Sequence, residues 1–332
     1  MKKLSIIIMS ISLGCSAQEK SIGELVAEDP SFYEFIDKEA KIEVLAEGFT
    51  WSEGPVWVKE GGFLLFSDVP QNTIFKWRAD EGLTEFLKPS GYTGILPYSR
   101  EPGSNGLTIN SDGELVVCEH GDRRVTRMPL GGGGGKFTLA DSWMDKRLNS
   151  PNDVIQASNG TYYFTDPPYG LPGLDKSEMR EIDAFGVYKI DKDRKVEMVV
   201  GNLTFPNGVA LSPDEKILYV TQSDPNAAYI LAYNVKNDGS LDEGKILFDA
   251  TPMAKSGLKG LPDGIKVDRN GTIFSTGPGG ILIISPNGKL LGRIDTGEPT
   301  ANCAWGEDGS VLYITANHYL AKINTKTIGN GF

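Results

Sequence analysis

The 332-residue chain contains only three cysteines and two histidines. Cys15, Cys118 and Cys303 are too few and too far apart for a disulfide framework, and their spacing fits no zinc motif. Cys118 and Cys303 sit in the apolar stretches LVVCEH and TANCAW and read as buried free thiols. With His120 and His318 the only imidazoles, a Ser-His-Asp triad has few possible bases, and the sequence has no Gly-x-Ser-x-Gly elbow. Basic residues do not cluster beyond the first three positions, and the net charge is −11, which argues against nucleic acid as a partner. The glycine run 131–135 is followed by Lys-Phe and lacks the Lys-Ser/Thr ending of a phosphate cradle, so it reads as a surface loop.

No apolar run at the N-terminus is long enough to span a bilayer. Lys2 and Lys3 precede a mostly apolar stretch from Leu4 to Leu13, the pattern of a cleaved export signal over residues 1–15. Gly14-Cys15 resembles the cleavage site of bacterial lipoproteins, whose Cys is lipidated, although Ser12 stands where that site usually has Leu. The alternative is a simple secretory signal with Cys15 incidental. The expected location is periplasmic, or membrane-anchored through Cys15, and that anchor is the only membrane contact expected. Residues 16–40 then form a lead-in with one or two helical turns, broken at Pro30.

What the chain has in abundance is glycine (40), proline (19) and repeated alternation of apolar strands with polar turns. Six units of roughly fifty residues overlay one another from residue 41 to 328. Each has a strand, a polar turn, a second strand and a third. The turns NSDGE, ASNGT, SPDEK, DRNGT and GEDGS fall at the same place in five successive units. Blade-sized antiparallel repeats of this number predict an all-β, six-bladed β-propeller with four-stranded blades. The early strand KIEVLAEGF (41–49) is expected to pair with the last unit and close the ring, which removes exposed edges.

In a propeller the first strand of each blade lines the central channel. The residue at the head of that strand sits at one mouth. The overlay puts Glu53, Asn105, Asn152, Asn207, Asp263 and Asn302 there. Each Asn-Gly or Asp-Gly alone reads as a turn. As a set they form a ring of oxygen donors, which suits a hard divalent cation: Ca²⁺ first, with Mg²⁺, Zn²⁺ or Mn²⁺ also able to bind. Asp153, beside Asn152, is expected to face away and serve its local turn.

The motifs WSEGPVW (51–57), SPNDV (150–154), FPNGVALSPDEKILYVT and LPDGIKVDRNG resemble the SMP-30/gluconolactonase/LRE family. VCEHGDRRVTR (117–127) and YFTDPPYGL (163–171) are similar to its bacterial gluconolactonase branch. The resemblance implies a divalent metal at the mouth and hydrolysis of lactones, typically sugar-acid lactones. It implies Glu53, Asn207 and Asp263 as metal ligands, with Asp263 also the proton acceptor. It implies Asn152 beside the metal, holding substrate or water. His120 matches, more loosely, a paraoxonase histidine proposed as base.

Around these, Asn105, Glu119 and Tyr169 are candidates for substrate contact. Strand alternation lets only one of Glu119 and His120 face the channel. Trp51 and Trp57 either wall the substrate or pack between blades. Asp166 reads equally as a turn residue and as an ion ligand or loop orienter, and His318 as a surface or packing residue. The long segment 167–186 is placed to act as a lid. Two other functions fit the same ring: another metal-dependent esterase of paraoxonase type, and a non-catalytic binding propeller with a structural ion.

Overall fold

The computed structural model describes residues 20–131 and 134–332. The leader 1–15 with Cys15, and Gly132 and Gly133 of the glycine run, lie outside the described residues. The described residues form six antiparallel sheets in a ring, the expected six-bladed β-propeller, with a small two-stranded sheet, Ser142–Trp143 with Lys146–Arg147, between blades 2 and 3. The innermost strands, in blade order, are Ser52–Val58, Ser104–Ile109, Val154–Gln156, Pro206–Leu211, Ile265–Val267 and Thr300–Gly306. The five repeated polar turns join first to second strands, as in the Asn110–Glu114, Ala157–Thr161 and Ser212–Ile217 backbone pairs. They therefore lie at the far end of the channel from the oxygen ring.

The ring closes as the early strand predicts. Ile42–Glu47 pairs with Tyr319–Asn324 in the last blade, with Tyr319 opposite Glu47. The lead-in differs from its expected helical form. It holds one 3-10 turn, Pro30–Glu34, and two short strands. Ser21–Ile22 extends the sixth blade and Glu24–Ala27 extends the fifth, so these two blades have five strands. Helix-friendly composition loses here because two open sheet edges offer hydrogen bonds and a place to bury Phe32 and Ile36.

An apolar cluster fills each of the six blade–blade interfaces. Between blades 2 and 3, Phe164 and Tyr188 stack at 5.3 Å beside Cys118 and Val116. Between blades 6 and 1, Trp57 stacks on Tyr313 at 5.4 Å. Cys118 and Cys303 are free and buried. A sheet that is apolar on both faces needs neighbours on both sides, and ring closure supplies them.

Candidate active site

The six first strands converge at one mouth, and in four of the six blades a glycine after the ring residue makes the convergence possible. A Cβ on Gly54 would lie 1.9 Å from the carbonyl oxygen of Asn105, and one on Gly208 would lie 2.2 Å from that of Asp263. Gly106 and Gly264 sit equally tight against the next blade. Only Gly54 among the four has positive φ, at 50°. These pairs are thus close-approach points within a first strand or, for Asp263-Gly264, just ahead of one, and not hairpin turns.

Second strands brace the same ring. Ser67 Oγ donates to the Asn105 carbonyl (2.9 Å), Thr165 Oγ1 to that of Asn207 (2.6 Å) and Thr221 Oγ1 to that of Asp263 (2.5 Å). The recurring hydroxyl in FSD, FTD and VTQ is a signal for this brace that strand alternation alone does not reveal.

The mouth holds a cavity of about 380 Å³. Glu53, Asn105, Asn152, Asn207 and Asp263 all line it, together with Trp51 and Tyr169. Asn302 lies just beneath, its Nδ2 donating to Glu53 Oε2 at 3.2 Å. A larger cavity, about 510 Å³, opens from the opposite end of the channel and contains none of the ring side chains except through their strands. Chemistry belongs to the smaller one, where two carboxylates meet.

Glu53 is buried; Asp263 is half-buried as a residue, with its Oδ1 shielded from solvent. Burial pushes Glu53 up to about 7 and holds Asp263 well above the ordinary carboxylate range, where its proximity to Glu53 adds to the effect. Glu53 Oε2 also accepts the Gly54 N–H at 2.7 Å. Asp263 Oδ1 and Asn152 Oδ1 are buried without any hydrogen-bond partner among the described residues. Such orphans are costly unless a cation or water meets them. Asn207 Nδ2 donates to Ser223 Oγ (2.9 Å), so its own oxygen is left for the cavity. Two carboxylates and two amide oxygens with no cation beside them fit a hard divalent ion. Among the described residues no cluster of three His, Cys, Asp or Glu side chains that could hold a metal ion exists; the oxygen donors at this mouth are two acids and two amides.

Other expected contacts are rearranged. His120 is fully buried and does not line the cavity. Its Nδ1 lies 3.1 Å from the Glu101 carbonyl and its Nε2 3.4 Å from Asn152 Nδ2. An N–H on Nδ1 satisfies the first contact and leaves Nε2 to accept from Asn152. Burial lowers its pKa to about 4, so the ring is neutral. Gly170 lies directly on it; a Cβ there would come 2.4 Å from His120 Cβ. His120 therefore stands behind Asn152, outside the cavity lining.

Glu119 faces the other way, as strand alternation requires. It is bound by Arg124 Nε (2.6 Å), Lys136 Nζ (2.6 Å) and Thr126 Oγ1 (2.8 Å) and does not reach the cavity. Asp153 does not serve a local turn. It is buried, accepting Val154 N–H at 2.9 Å and, from the next blade, Val209 N–H at 3.2 Å. Trp57 packs between blades, whereas Trp51 walls the mouth. Tyr169 also walls it, stacked on Phe205 and donating to the Phe205 carbonyl at 3.2 Å. His318 packs on Tyr319.

Asp166 is buried at the base of the 167–186 loop. Its Oδ2 accepts from the Asn149 backbone (2.8 Å) and side chain (3.1 Å), and Asn149 also donates to the Ala184 carbonyl at the loop's other end. Arg100 and Glu101, absent from the sequence expectations, complete the cavity wall as an ion pair at 2.9 Å. The long connection between blades 1 and 2 was the available signal for them.

The description of the SMP-30/gluconolactonase/LRE-like region matches residues 51–318. A gluconolactonase of Zymomonas mobilis is 41% identical over 315 residues, covering 93% of this chain and 88% of that protein. The lactonase drp35 of Staphylococcus aureus is 28% identical, covering 84% and 79%. A solved gluconolactonase of Xanthomonas campestris superposes with a TM-score of 0.78 at 28% identity, covering 93% and 99%. A propeller with this mouth, matched over this length, makes the chain an ester-hydrolysing enzyme that belongs to the SMP-30/gluconolactonase/LRE family.

Proposed function

We propose that the chain hydrolyses a sugar-acid lactone such as gluconolactone with the help of one divalent metal ion, Ca²⁺ foremost. The observation that carries this is the pair of buried, unpartnered oxygens, Asp263 Oδ1 and Asn152 Oδ1, beside two uncompensated carboxylates. Glu53, Asp263, Asn152 and Asn207 would hold the ion. When bound, it supplies Lewis-acid polarisation of the lactone carbonyl and offsets the charge of the carboxylates.

The chain's own residues do the rest. Glu53 is already committed to Gly54 and Asn302, so Asp263 is the carboxylate left to take a proton from the attacking water. His120 keeps the Asn152 amide turned with its oxygen inward. Asn105 is the cavity amide whose side chain has no protein hydrogen bond among the described residues, and it is free to donate to substrate oxygen. Trp51 and Tyr169 offer flat faces to a sugar ring and narrow its access to water. A strained cyclic ester is reactive enough that no covalent nucleophile is needed. Export by the leader would put this reaction in the periplasm, and fractionation with the mass of the mature N-terminus tests that placement.

The test is hydrolysis of gluconolactone followed with a pH indicator, before and after chelation, with Ca²⁺, Mg²⁺, Mn²⁺ or Zn²⁺ restored singly. Metal-restored turnover is expected. Turnover that survives chelation, or no turnover of any lactone, overturns the reading.

A further inference from the structure

Beneath the mouth the channel contains a cation. Lys266, on the first strand of blade 5, stands at the head of the 510 Å³ cavity that opens from the opposite face. Its Nζ donates to the Ile265 carbonyl at 3.0 Å and to Asn302 Oδ1 at 3.5 Å. Asn302 in turn donates from Nδ2 to Glu53 Oε2 at 3.2 Å. Asn302 Oδ1 also accepts the Cys303 N–H at 2.9 Å, so backbone and ammonium together orient the amide that holds the acid at the mouth. From across the channel, Lys266 also offsets part of the burial that raises Asp153 in blade 3.

Three carboxylates surround the axis: Glu53 and Asp153, both buried, and Asp263, half-buried with its Oδ1 shielded. None takes part in an ion pair among the described residues; the nearby Glu101 is already balanced by Arg100. Buried charge without compensation is strongly unfavourable. A divalent ion at the mouth would balance two of the three.

We infer that Lys266 is the built-in third positive charge of the site: a positioning residue that makes the axial cluster neutral with a divalent ion bound and so limits how tightly that ion is held. The inference rests on the proposed ion at the mouth. Weaker holding matters for function, because an ion less neutralised by its surroundings polarises a carbonyl more strongly.

The experiment measures Ca²⁺ binding by calorimetry on chelator-stripped protein, for wild type, Lys266→Met, Lys266→Arg, Asp153→Asn and the double variant Lys266→Met/Asp153→Asn. Removing the like charge should tighten Ca²⁺ on the order of tenfold or more. Asp153→Asn should weaken binding, the double variant should return close to wild type, and Lys266→Arg should resemble wild type. Unchanged or weaker binding in a folded Lys266→Met protein overturns the inference. Urea unfolding of the same proteins in chelator is a second, independent measurement. There Lys266→Met should lower the midpoint and the added Asp153→Asn should restore part of it; a midpoint unmoved by Lys266→Met overturns the charge role. Should wild type bind no Ca²⁺, the proposed ion site fails, and the unfolding series still decides the role of Lys266.

Discussion

Glu53→Gln should stabilise the metal-free protein at alkaline pH, although it removes a central residue of the site. Glu53 is pushed from 4.5 to about 7 by burial. Between those values the folded protein holds a proton that the unfolded chain releases. Stability therefore falls as pH rises from about 4.5 to about 7, and the loss is complete above it. At 1.36 kcal/mol per unit the shift corresponds to about 3 kcal/mol. Glutamine cannot ionise, and its carbonyl oxygen can still accept the Gly54 N–H that Glu53 Oε2 now accepts. In chelator, urea unfolding should show the variant more stable than wild type by up to about 3 kcal/mol at pH 8 and nearly equal at pH 4.5. Ca²⁺ at about a thousand times its dissociation constant should reverse the order, because it adds about 4.1 kcal/mol to wild type. A chelated variant less stable than wild type at pH 8 would refute the claim that the buried Glu53 carboxylate lacks a direct ion pair.

Three further outcomes follow from the same geometry. His120→Ala should lower kcat/KM by about tenfold, as loss of a residue that orients a ligand does, while leaving the limbs of the pH–rate profile in place; a vanished limb would make His120 the base. Asp166, raised by burial to about 7, makes stability fall as pH climbs from about 4 to about 7. Asp166→Asn should remove that component, gaining up to about 4 kcal/mol on wild type at pH 8 in urea unfolding, and a variant with the wild-type pH slope would contradict this. Glu119→Gln should cost about 1–3 kcal/mol of stability by removing the buried charge that Arg124 and Lys136 share, although Asp122 and the Ser90 carbonyl remain to them, and should leave KM unchanged, whereas a raised KM would put Glu119 back in contact with substrate.

The fold was legible because its periods are long and its turns repeat. Five matching turns and a spare early strand define a closed ring more firmly than any single element. The ring of Glu53, Asn105, Asn152, Asn207 and Asp263 was legible for the same reason, since equivalent positions in equivalent blades must meet at one mouth. What sequence did not reveal was direction. His120 follows the last residue of a strand, and its side chain is set by Gly170 packing on it from a loop fifty residues away. Asp153 reads as a turn residue until the next blade offers the Val209 N–H. The glycines at 106, 208 and 264 look like turns because Asn-Gly and Asp-Gly usually are, yet here the neighbouring blade claims the space of a side chain. Lys266 carried no signal as one basic residue inside an apolar strand. Only the ring geometry brings it beneath three acids.

The central claim is that the mouth binds one hard divalent ion through oxygen. Calorimetric titration of chelator-stripped protein with Ca²⁺ tests it most directly, with Asp263→Asn alongside. One ion per chain in wild type, and binding lost or weakened by orders of magnitude in the variant, is the predicted result. Equal binding by both proteins, or none by wild type with any of the four divalent ions, would contradict it.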